Sequence, residues 1–187
     1  MKVELIGADT DFGIDYAIGM CYDKGCYIDS EKKINRIKKV ALKDKHASVL
    51  EFANFTFRIT ASTKVLLEMT RHRMASYACK SSRYTLNKGE LVFEPTGNEH
   101  VDNLLEVWKS HIEECIEMGM SNEITSLMLP QAYQYVWLCQ FNARSLKNFL
   151  HLRTAPSAHF MIREVAQAMY EALSEEIKYI FEGDIHD

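Results

Sequence analysis

The sequence contains no C-x-x-C pair, and its five cysteines (Cys21, Cys26, Cys79, Cys115, Cys139) are scattered and odd in number. That pattern argues against a disulfide framework and predicts free thiols in a reducing, cytoplasmic compartment. Each cysteine by itself reads as a small core residue. The seven histidines are equally dispersed, so no metal site is expected. A G-x-G-x-x-G loop is absent, which excludes the usual dinucleotide-binding turn. Nothing suggests a Ser-His-Asp arrangement. No apolar run approaches membrane-spanning length, and the short run Met1–Ile6 has no cleavage site after it, so neither a membrane span nor a signal peptide is expected. There are no internal repeats or low-complexity tracts. The net charge of -4 leaves no global excess of cations for a nucleic acid.

What is present is an ordinary globular composition over 187 residues, 47% apolar and 26% charged, read as a single domain spanning residues 1–187. Residues 2–6 read as a strand and 9–20 as a helix. Ser30 looks like a helix cap, followed by Ile34, Ile37, Val40 and Ala41 at helical spacing. Between Asn54 and Ile59, Phe55, Phe57 and Ile59 alternate with polar residues as in a half-buried strand. Ser62 to Met69 then reads as a helix, and Leu91-Val92-Phe93 as strand-like. Pro95-Thr96-Gly97 is the strongest turn signal. Beyond it lie an apolar stripe (Val101, Leu104, Leu105, Trp108, Ile112, Ile116), a break at Gly119, and a cap at Ser121. A helix is expected from Leu129-Pro130, another through Leu146, Phe149 and Leu150, and a last one opened by Pro156. The fold class is α+β: a small antiparallel sheet flanked by many helices, with a helix-rich C-terminal half.

The chemistry concentrates in Arg71–Tyr84, R-H-R-M-A-S-Y-A-C-K-S-S-R-Y. Arginine forks match phosphate, and serine hydroxyls and backbone N–H groups can complete an anion cradle. The interleaved small residues Ala75, Ser76, Ala78, Ser81 and Ser82 would let a ligand approach the backbone. A solvated basic face is the plain alternative. Three further clusters stand out: His46-Ala47-Ser48-Val49-Leu50-Glu51, Asn142–Asn148, and Leu152-Arg153-Thr154. Asn142 is a poor mid-helix residue and could be a cap, and Arg153 could complement a helix C-terminus or bind an anion. Residue types alone lead to a polyanion-binding stretch near 71–84 and no further.

These same stretches resemble the flavin-dependent thymidylate synthases. R-H-R, seven residues, then Ser81 is that family's signature. The order of a His-x-Ser-x-x-Glu loop, an alternating strand, a helix and R-H-R is also similar, as are Asn142-Ala143-Arg144-Ser145-Leu146 and Leu152-Arg153. The resemblance implies methylation of dUMP to dTMP, with methylenetetrahydrofolate as carbon donor, NADPH as reductant and FAD as cofactor. It implies a homotetramer with shared active sites. Ser48, Glu51, His72, Arg73, Asn142, Arg144 and Asn148 fall on flavin-contacting positions, with His46 nearby and Arg71 between flavin and nucleotide. Glu68, Ser81, Ser82 and Arg83 fall on the dUMP stretch. Cys79 and Lys80 lie within it and are expected to touch cofactor or substrate through the backbone. Arg153 falls on the position that activates the pyrimidine, and no thiol nucleophile is required. The chain departs from the commoner pattern at Glu68, Ala78-Cys79, Ser126 and Ser157-Ala158-His159. Two other readings therefore stay open: the same chemistry on UMP or dCMP, and a non-catalytic nucleotide- or RNA-binding protein.

Overall fold

The computed structural model describes residues 1–186. Four strands, β1 (Lys2–Ala8), β2 (Asn54–Ser62), β3 (Ser76–Cys79) and β4 (Gln134–Asn142), form one antiparallel sheet in the order β1-β2-β4-β3. Register places Phe57 opposite both Leu5 and Cys139, and Tyr77 opposite Cys139. Side chains alternate across a strand. Phe55, Phe57, Ile59 and Ala61 of β2 therefore share one buried face with Trp137, Cys139 and Phe141 of β4.

Helices cover that face. They are α1 (Phe12–Cys21), α2 (Ser30–Ile37), α3 (Thr63–Met69), α7 (Ala143–Thr154) and α8 (Phe160–Glu171). Ile14, Ile18, Ile37, Val65, Met69, Leu146, Phe149, Leu150, Ile162 and Val165 join the sheet residues in one core. The opposite face is more open and mixes polar residues with Val136 and Leu138, and Glu4 and Arg58 pair on it at 2.7 Å across β1 and β2. The remaining helical pieces are α4 (Ser82–Thr85), α5 (Glu99–Glu117), α6 (Asn122–Thr125) and α9 (Glu175–Lys178). No helix among the described residues is long and apolar enough to cross a membrane.

The α+β class is borne out; several local expectations are corrected. Ser30 is the first helical residue and Asp29 is the cap, accepting from the Lys32 N–H at 2.8 Å. That helix runs on as a π-helix, Lys38–Lys43. The helix expected from Leu129-Pro130 is instead the central strand β4. Its aromatic and β-branched residues pair on both sides, with β2 and with β3, and this tertiary pairing overrides the local reading. Leu91-Val92-Phe93 makes only an isolated bridge, Phe93 to Tyr133. Of the apolar stripe on α5 only Ile112 is buried, because α5 packs on α6 and a small cluster (Leu86, Leu91, Tyr133) away from the main core. Pro156 lies in a turn, and α8 begins four residues later with His159 as its cap. Gly119 ends the α5 segment with a φ of 75°, a left-handed value natural to glycine.

Candidate active site

The cationic stretch is shaped by its neighbours. α3 starts where the Ser62 hydroxyl accepts from the Val65 N–H, and it ends at Met69. The chain then turns and returns as the edge strand β3. Tyr77 fixes this turn: its hydroxyl donates to the Met69 carbonyl at 2.7 Å, with the His72 carbonyl 3.1 Å away sharing the same proton. The result separates the three R-H-R side chains. Arg71 and Arg73 stay exposed. His72 turns inward, its ring 5.5 Å from Phe141 and 5.6 Å from Phe149.

The inward side opens on a cavity of about 480 Å³ lined by Glu51, His72, Met74, Asn142, Arg144, Ser145 and Asn148. Five of these were expected at a flavin, and they come from three separate parts of the chain. Asn142 is the N-cap of α7, its side-chain oxygen accepting from the Ser145 N–H at 2.9 Å. The cap accounts for Asn142, and its place ahead of the helix lets it share a cavity with Asn148. Arg144 pairs with Glu51 at 2.7 Å across the cavity rim. His46 and Ser48 are exposed at the start of the 3-10 helix Ala47–Phe52 that carries Glu51; neither lines the cavity.

Ser145 and Met74 had not been singled out. The Ser145 hydroxyl donates to the Met74 carbonyl, and His72 Nε2 lies 2.7 Å from Ser145 Oγ. One hydroxyl has one proton, so His72 Nε2 must be the donor in that contact. His72 is thereby held as the Nε2–H tautomer, with Nδ1 left as an acceptor. Burial, reinforced by the charge of Arg153, holds the imidazole below its ordinary pKa of 6.5, so the ring is kept neutral.

A second cluster surrounds Glu68. Arg153 donates to the Glu68 carbonyl at 3.0 Å and lies 3.4 Å from its carboxylate. Lys64 lies 3.2 Å and Arg71 3.9 Å from the same carboxylate. The hydrogen bond from Lys64, with the charges of Lys64, Arg71 and Arg153, holds the Glu68 carboxyl below the usual range. Lys64 was missed, although its four-residue spacing from Glu68 on a helix was a usable signal.

The rest of the stretch goes elsewhere. Cys79 is paired with Trp137 in the ladder, and the Lys80 N–H bonds the Val136 carbonyl at 2.9 Å. Ser81 precedes α4, and Ser82 and Arg83 lie on it. Arg83 lies 3.9 Å from Glu123, and its carbonyl accepts from Asn122 at 3.2 Å. Among the described residues no hydrogen bond or ion pair joins Arg83 to the Glu68–Arg153 cluster. Ser126 spends its hydroxyl on the Glu123 carbonyl at 3.0 Å.

The sequence model of the family described as "Thymidylate synthase complementing protein" matches residues 5–177. The chain belongs to this family. Similar relatives include the flavin-dependent thymidylate synthase of Campylobacter jejuni (strain RM1221), 38% identical over 181 residues, covering 88% of this chain and 86% of the relative. That of Wolinella succinogenes is 36% identical over 166 residues, covering 81% of each. A crystal structure of thymidylate synthase X from Helicobacter pylori with FAD and dUMP superposes with a TM-score of 0.91 at 28% identity, covering all of both chains. A second Helicobacter pylori complex with FAD and dUMP gives 0.88 at 29% identity. The likeness therefore spans the β-sheet, the R-H-R turn and helix α7 together.

Proposed function

We propose that this chain is a flavin-dependent thymidylate synthase: it methylates dUMP to dTMP with methylenetetrahydrofolate as carbon donor and NADPH as reductant. The 480 Å³ cavity fits part of an FAD. Arg144 offers a guanidinium fork for its phosphates, Asn142 and Asn148 offer amides, and His72 offers a neutral ring with one acceptor nitrogen. Glu51 sets the direction of Arg144. Arg71 and Arg73, with Ser48 and His46 on the adjoining 3-10 turn, complete the expected set. When bound, FAD supplies the hydride chemistry of the reaction.

The observation that carries this reading is the placement of Arg153. Its guanidinium is largely buried and anchored to the Glu68 carbonyl, and its charge is felt by His72 at the flavin cavity. Uracil C5 is a weak nucleophile until electron density is pushed into the ring. A fixed guanidinium beside N3 and O2 favours the N3-deprotonated form, and a preorganised charge needs no reorganisation during reaction. Cys79 is not needed as a nucleophile, and burial keeps its thiol protonated. Glu68 would repel a phosphate if unpaired, yet three cations surround it. That removes the objection Glu68 raises to any nucleotide phosphate, and the solved relatives that hold dUMP favour it over UMP and dCMP. Ser81, Ser82 and Arg83, with Lys80 beside them, would hold the nucleotide phosphate. Arg83 has no hydrogen bond or ion pair to the Arg153 cluster among the described residues, which supports sites shared between chains of a homotetramer.

Arg153→Ala is expected to abolish methylation while leaving FAD bound; an active variant would refute the assigned role. Mixing Arg153→Ala with Arg83→Ala chains should restore some activity, since hybrid assemblies would regain intact sites. No restoration would contradict the shared site.

A further inference from the structure

A second cavity lies between α1 and α2, over the loop that joins them. Its volume is about 530 Å³, and Tyr22, Lys24, Tyr27, Lys32, Asn35 and Lys39 are among its lining residues. Lys24, Lys32 and Lys39 have no carboxylate within ion-pair distance among the described residues, whereas neighbouring Lys33 is paired with Asp11 at 2.6 Å. Asp44 is the one carboxylate in the lining. Three unpaired ammonium groups against one carboxylate make a local excess of positive charge on a chain of net charge -4.

The wall is built rigidly. Asp15, fully buried, accepts from Arg36 Nε at 2.6 Å and from the Tyr27 N–H at 2.7 Å. Arg36 also donates to the Gly25 carbonyl at 3.1 Å and lies 4.3 Å over the Tyr27 ring. The loop bearing Tyr22 and Lys24 folds back onto α1 at Gly19, where a Cβ would meet the Lys24 carbonyl at 2.5 Å. Arg36 is thus consumed by structure, while the three lysines and Tyr22 remain available.

Lysine is a compact charge suited to phosphate, and an unpartnered tyrosine offers a flat face to a base. The π-helix Lys38–Lys43, which gives Lys39 and Val40 to this cavity, packs on the 3-10 helix Ala47–Phe52, whose Glu51 lines the 480 Å³ cavity. Val40 and Asp44 line the lysine-bearing cavity, and the chain from there passes through His46 to Glu51 on the flavin side. The intervening π-helix, Lys38–Lys43, is a geometry frequent at functional sites.

We propose that this cavity binds the phosphorylated adenosine end of the nicotinamide reductant, which approaches the flavin from the α1–α2 side. The proposal rests on the function assigned above. The test is calorimetric titration of the flavin-free protein with adenosine 2′,5′-bisphosphate, with adenosine as control. Saturable binding of the bisphosphate is expected, weakening as salt rises. The triple variant Lys24→Ala/Lys32→Ala/Lys39→Ala should bind it at least tenfold more weakly and raise the KM for NADPH at least tenfold, with FAD affinity unchanged. Single Lys→Gln variants, which keep the stem and remove the charge, should each give part of the loss. Equal bisphosphate binding by wild type and variants, or none by wild type, overturns the proposal. So does a loss of FAD affinity, which would place the flavin's own phosphates here. Normal flavin loading and NADPH oxidation beside any of these results would leave the assigned function standing. A protein that neither binds flavin nor oxidises NADPH would refute both.

Discussion

Replacing Ser145 by alanine removes the hydroxyl that joins His72 to the turn after R-H-R. Ser145 is 7% exposed, and its oxygen accepts from His72 Nε2 at 2.7 Å while its proton goes to the Met74 carbonyl. Met74 is exposed, so its carbonyl can regain water, and that loss is about 1 kcal/mol. The His72 N–H is packed among Phe141 and Phe149, and leaving it unpaired costs about 1–2 kcal/mol more. The sum, about 2–3 kcal/mol, corresponds to a fall in Tm of roughly 4–12 °C for a chain of this size. Urea unfolding of the flavin-free protein, followed by circular dichroism, should show a lower midpoint at unchanged slope. The imidazole nitrogen spectrum should change from one tautomer to a mixture, and FAD should bind more weakly. A stability change under about 0.5 kcal/mol with an unchanged tautomer would refute the bridging role.

Asp15→Asn should destabilise the N-terminal helices by about 3–5 kcal/mol, because it leaves Arg36 largely buried without its charge partner. Adding Arg36→Met should recover part of that loss in the same unfolding assay. His72, whose imidazole is held below its ordinary pKa of 6.5 by burial and by the charge of Arg153, makes stability pH-dependent. As pH falls through 6.5 the unfolded chain takes up the proton first, so stability present above 6.5 is lost towards the lower folded value. His72→Gln should therefore lose less stability than wild type between about pH 7 and 5. Cys79 is exposed as a residue, yet partial burial holds its thiol above its ordinary pKa. Alkylation at neutral pH should be slower there than at exposed Cys21, and Cys79→Ala should keep its turnover; loss of turnover with intact folding would contradict a mechanism without a thiol.

Much of this site could be read from residue order, because its parts are local. R-H-R at the end of a helix, Asn142 ahead of α7 and the alternation in β2 all depend on near neighbours. Apart from Lys64, what was missed depends on distant ones. β4 lacks a clean alternation, because Val136 and Leu138 stand between Tyr135, Trp137 and Cys139 in one apolar run, and only pairing with β2 and β3 makes it a strand. The stripe on α5 shows amphipathicity without saying that most of it stays outside the main core. Ser145 is a plain serine until folding brings Met74 and His72 to it from some seventy residues away. The neutralisation of Glu68 needs α3 and α7 side by side, so only the folded chain turns an apparent mismatch into a paired group.

The central claim is tested most directly by product analysis. The FAD-loaded protein would be incubated with methylenetetrahydrofolate and NADPH and with dUMP, UMP or dCMP in turn, and the nucleotides identified by mass spectrometry. The account predicts dTMP from dUMP, with the other two nucleotides unchanged. Methylation of UMP or dCMP in its place, or NADPH oxidation with no methylated nucleotide, would contradict it.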